Sequence, residues 1–64
     1  MTTEEAKTAW SAESPVIFDN VEYERISALI YRKPKGKQPY LSLELYDKCG
    51  HSVIIAAPDK VKLK

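Results

Sequence analysis

Leu41, Leu43 and Leu45 alternate with Tyr40, Ser42, Glu44 and Tyr46, and no other stretch of the chain restricts its fold as much. Successive side chains of a strand point to opposite faces. The pattern therefore predicts a strand with its leucines buried and Tyr40, Ser42, Glu44 and Tyr46 facing outward. A 64-residue chain leaves little else with which to build a core. At this size only about 60% of the unfolded surface can be buried, and the net stability is roughly 3–5 kcal/mol.

Composition supports one folded unit. Hydrophobic residues make up 44% and charged residues 30%, too apolar a mixture for disorder. Cys49 is the single cysteine, so no internal disulfide staples the fold, and a reducing, cytoplasmic location is expected. The start MTTEEAKTAW lacks the apolar stretch of a signal peptide. The longest apolar run, Val53 to Ala57, is too short to cross a bilayer and reads as a buried strand. No membrane segment is expected.

Residues 1–14 read as a short helix or a disordered arm. Thr2 and Glu5 have capping-box spacing, and Glu4 and Glu5 suit the positive end of a helix dipole. Ala6 and Trp10 share a helical face, which points to Trp10 as the residue that docks this segment. Ser14-Pro15 ends it.

Residues 15–64 read as strand and turn. Val16-Ile17-Phe18 is a strand closed by Asp19-Asn20, a pair suited to a tight turn. In the long segment that follows, Val21 and Tyr23 share one phase while Ile26, Ala28 and Ile30 share the other. A bulge near Glu24-Arg25 brings both sets to the core side. Lys33 to Lys37 form a loop around Pro34 and Gly36. Asp47 to Gly50 close a hairpin with Gly50 left-handed. Ser52 to Ala57 follow as a strand, Pro58-Asp59-Lys60 interrupt, and Val61 and Leu63 point inward from a last strand.

Five short antiparallel strands without a helical crossover predict a mostly β fold, a meander or a small barrel whose closure removes exposed edges. The order of long strand, loop, strand, tight turn, strand, kink and last strand is similar to an SH3-like barrel. A helix ahead of five strands also occurs in the Sm-like variant, but the glycine and Asp/Asn pattern of its uridine pocket is missing here. The likeness is one of architecture, which assigns no function.

Chemistry is sparse. Asp47, Cys49 and His51 fall at alternate positions around one turn, without the paired spacings of a structural zinc site; the turn alone accounts for Asp47 and Gly50. Glu22 and Glu24 share a strand face and are expected to be solvated. With two glycines there is no phosphate-cradling loop, and a domain this small has little room for a cleft that shields a reaction. No catalytic residue, metal, cofactor or small-molecule substrate is expected.

Charge is distributed unevenly. Residues 1–24 hold six acids against Lys7, and residues 25–64 hold nine bases against Glu44, Asp47 and Asp59. Tyr31, Arg32, Lys33, Lys35, Lys37 and Tyr40 collect on the arms and tip of one hairpin. Exposed tyrosines beside cations stack on bases and grip phosphates, with Tyr31 and Tyr40 as the expected stacking pair. The same residues also serve as ordinary cross-strand cover and solubilising charge. A non-catalytic module binding single-stranded nucleic acid is therefore the leading expectation. The competing one is a protein partner or homodimer held by Tyr31, Tyr40 and Tyr46 or by a strand edge. An acidic N-terminal arm folded over the basic hairpin would add electrostatic self-masking.

Overall fold

The computed structural model of the chain describes residues 1–50 and 52–64. A helix, α1 (Thr3–Ala12), precedes strands β1 (Val16–Phe18), β2 (Val21–Tyr23), β3 (Arg25–Arg32), β4 (Tyr40–Tyr46), β5 (Val53–Ala56) and β6 (Val61–Leu63). A single 3-10 turn, Pro58–Lys60, separates the last two strands. The strands form two antiparallel three-stranded sheets, ordered β2-β1-β6 and β3-β4-β5. The fold is mostly β, as expected, but the five-stranded SH3-like barrel is corrected on two counts. Among the described residues there are six strands, and the two sheets do not close on each other. A plain meander is also excluded, because β6 returns to pair with β1.

The sixth strand arises because the long segment breaks at Glu24. Its residues up to Tyr23 pair with β1, while those from Arg25 onward pair with β4. The Glu24 N–H donates to the Tyr46 carbonyl at 2.9 Å, so one continuous chain passes from the first sheet to the second. A bulge lies two to three residues later than the one expected near Glu24-Arg25. Ile26 opposes Leu45 and Ala28 opposes Glu44, which leaves Ser27 as the extra residue. One extra residue shifts the side-chain phase. Consequently Ile26 and Leu29 share the core face, and Leu29 packs against the core in place of the expected Ala28 and Ile30.

Local signals explain most element ends. Thr2 Oγ1 accepts from the Glu5 N–H at 3.2 Å, and Glu5 Oε1 accepts from the Thr2 N–H at 2.8 Å, completing the predicted capping box. Asp19 and Asn20 have φ of 54° and 61°, the two positive values that a type I′ hairpin turn requires. In the Asp47–Gly50 turn, Gly50 has φ of 70° and its N–H donates to the Asp47 carbonyl at 2.9 Å.

The core is Ala6, Ala9, Val16, Ile26, Leu43, Leu45, Ala56 and Val61, with Phe18, Tyr23, Leu29, Leu41 and Ile54 packed around it. Three inward expectations are corrected. Trp10 is exposed; α1 docks on β3 through Ala6 and Ala9, whose short side chains permit close approach, and the Trp10 indole reaches across to the Ser27 carbonyl. Leu63 is exposed because it sits at the rim of a shallow groove bounded by Glu4, Glu5, Thr8, Ala9 and Ser14. The run at Val53 to Ala57 is only half inside: Val53 and Ile55 are 47% and 49% exposed. Ser42, expected outward, is buried. No helix among the described residues is long and apolar enough to cross a membrane.

Candidate nucleic-acid interface

β3 and β4 run antiparallel and in register up to the Arg32–Tyr40 pair. Every residue from Tyr31 to Tyr40 is exposed, so the hairpin leaves the core and ends in solvent. Its loop is tightened by the Lys37 N–H donating to the Pro34 carbonyl at 3.1 Å, with Gly36 at φ of 74°, the positive value expected at the third position of a type II turn. Lys33, Lys35 and Lys37 therefore surround a defined turn.

The register separates the two tyrosines. Tyr40 lies opposite Arg32, so these two share a face; Tyr31 lies opposite Leu41 and shares the leucine face. Tyr31 and Tyr40 do not form one stacking platform. This corrects the expected pairing, since alternation sends them to opposite sides although both are at least half exposed, at 59% and 50%.

Electrostatically the tip is unopposed. From Arg25 to Leu43 the sequence contains five bases and no acid. The ion pairs among the described residues are Lys7–Glu4, Lys48–Glu22 and Lys64–Glu22, and none uses Arg32, Lys33, Lys35 or Lys37. The acids of α1 make no ion pair with the tip among the described residues.

Other candidate groups are engaged elsewhere. Tyr46 is half-buried, with the Arg25 guanidinium 4.6 Å from its ring centroid and its hydroxyl donating to the Gly50 carbonyl at 3.3 Å. It is part of the scaffold and not an open contact residue. Glu22 is not freely solvated: it accepts from Lys48 at 2.9 Å and Lys64 at 3.2 Å. These bonds hold its carboxyl below the ordinary pKa, Lys48 contributing most. Glu24 is exposed. Asp47 and Cys49 lie in the β4–β5 turn, while His51 lies outside the described residues. Among the described residues no group of three or more His, Cys, Asp or Glu side chains is placed to hold a metal ion.

Sequence reading missed the exposed pair on β5. An uninterrupted apolar run gives no sign of which alternate residues the tertiary fold leaves uncovered. Comparison with protein-family models, curated proteins and solved structures finds no match to this chain.

Proposed function

We propose that this chain is a non-catalytic binding module whose β3–β4 hairpin tip holds the backbone of single-stranded nucleic acid. One observation carries the reading: four cations, Arg32, Lys33, Lys35 and Lys37, stand in a run of ten exposed residues, and among the described residues no acid is paired to them. A cation without a protein partner is available to displace the counterions condensed on a phosphate chain. Tyr40 beside Arg32 supplies an aromatic face on which a base stacks while the guanidinium reaches phosphate. Tyr31, on the other face, contributes less.

The test is a fluorescence-anisotropy titration with mixed-sequence single-stranded DNA and RNA at several salt concentrations. Four phosphate contacts give a slope of log K against log salt of about −3 for single strands. Lys35→Glu combined with Lys37→Glu is expected to weaken binding and flatten that slope by about 1.4, with the fold intact because both residues are exposed. Unchanged affinity in this variant removes the tip from the site. Absence of binding at low salt favours the alternative reading, a protein partner on Tyr31 and Tyr40, whose affinity responds little to salt.

A further inference from the structure

We infer that β5 is the interface of a symmetric dimer, pairing edge to edge with β5 of a second copy of this chain. Among the described residues β5 pairs with β4 alone. Its inner ladder is marked by the Asp47 N–H, which donates to the Ser52 carbonyl at 3.1 Å. In an antiparallel ladder such bonded pairs recur at every second residue. Ser52, Ile54 and Ala56 thus turn their backbone groups toward β4, and Val53 and Ile55 turn theirs to the open edge.

The other strand edges are guarded and this one is not. α1 packs against β3, the far edge strand of the same sheet, with the Trp10 indole N–H 3.4 Å from the Ser27 carbonyl. The β2 edge carries Glu22 and its two lysine partners. Lys62 lies within β6, and Lys60 and Lys64 flank it. Charge, especially lysine, is how an edge strand is kept from pairing. Residues 52–57 contain no charge and no proline, and their two exposed large apolar side chains, Val53 and Ile55, lie on one face of the strand.

The occupant that these features fit is the strand itself. A two-fold axis perpendicular to the sheet, midway between the Ile54 residues of the two copies, sets Val53 of each copy opposite Ile55 of the other. That register forms four backbone hydrogen bonds from the four outward groups of each copy's Val53 and Ile55, and buries both exposed side chains against each other. It leaves Ala57 aside, whose carbonyl already accepts from the Lys60 N–H at 3.0 Å. No charge meets a like charge along the seam, and the net charge of +1 opposes association little. A seam of three residues per copy is smaller than the roughly 800 Å² per partner of a stable complex, so the dimer is reversible and depends on concentration.

Sedimentation equilibrium of the full chain from about 10 µM to about 1 mM spans the weak range of affinity. The weight-average mass is expected to rise from 7.3 kDa toward twice that value. Ile55→Lys places a charge on the seam and is expected to hold the chain at monomer mass at every concentration, with circular dichroism unchanged. Leu63→Lys, an equally exposed position on the other sheet, is expected to dimerise as the parent does. A parent that stays monomeric throughout overturns the proposal. So does a dimer that Ile55→Lys leaves intact, or one that Leu63→Lys disrupts equally. The basic tip takes no part in this pairing, so the outcome is independent of nucleic-acid binding.

Discussion

Lys48 Nζ lies 2.9 Å from Glu22 Oε2, joining the β4–β5 turn of one sheet to β2 of the other. The same carboxylate accepts from Lys64 at 3.2 Å, immediately after β6. Because the sheets do not close into a barrel, the Lys48–Glu22 pair links parts of the molecule that no strand ladder joins.

Glu22 gives the chain an acid-sensitive element. Its folded-state pKa lies below the ordinary value of 4.5 because Lys48 and then Lys64 hydrogen-bond the ionised form, against partial desolvation. The unfolded chain therefore takes up this proton more readily. The contribution is fully present above about pH 4.5 and is lost as pH falls through the lowered folded value. Glu22→Gln is expected to lower the urea midpoint at neutral pH and to narrow the loss between neutral pH and about pH 3. An identical pH dependence in the variant would show the cluster to be inert. Glu5, lowered chiefly by its bond to the Thr2 backbone, accounts for part of the slope that remains.

Ser27 holds the bulge. Its hydroxyl donates to Glu44 Oε1 at 2.8 Å and lies 3.2 Å from the Glu44 carbonyl, while its own carbonyl accepts from Trp10. Ser27→Ala removes the hydroxyl and is expected to cost about 1 kcal/mol, read as a lower urea midpoint at constant m-value.

Ala6 is fully buried between α1 and the strands. Ala6→Leu inserts volume that α1 cannot accommodate without lifting from β3, at about 1–3 kcal/mol. Against the roughly 3–5 kcal/mol available to so small a core, the thermal transition is expected to broaden and shift sharply downward.

Glu13 caps α1 in the left-handed region at φ of 55°, without a glycine. Glu13→Gly relieves the Cβ clash and removes a negative charge from the negative end of the helix dipole, so both effects favour the variant. An increase of about 1 kcal/mol is expected from the relieved clash, measured by denaturant unfolding.

Tyr40 and Tyr31 separate in a binding assay. Tyr40→Ala is expected to weaken single-strand binding by about 1–3 kcal/mol, the usual worth of one stacked base, while Tyr31→Ala, on the opposite face, changes it little. Equal losses from the two would contradict the facial assignment.

Local signals in this sequence are unusually direct. The Thr2–Glu5 box, the Asp19-Asn20 turn, the Gly50 turn and the Leu41–Leu43–Leu45 alternation each involve residues a few positions apart, so short-range sterics and hydrogen bonding decide them. The basic tip is equally legible, since Arg32 to Lys37 are contiguous in sequence.

Three features depended on the tertiary structure. The break at Glu24 and the bulge at Ser27 are set by which strands the segment must pair with, and a single extra residue reverses every later side chain. The division of Tyr31 from Tyr40 follows from that register. The exposure of Val53 and Ile55 goes with an edge on which, among the described residues, no fourth strand extends the sheet. Apolar character makes a residue suited to burial; which apolar residues are covered is decided only by the elements that reach them, because there is too little chain here to cover every face.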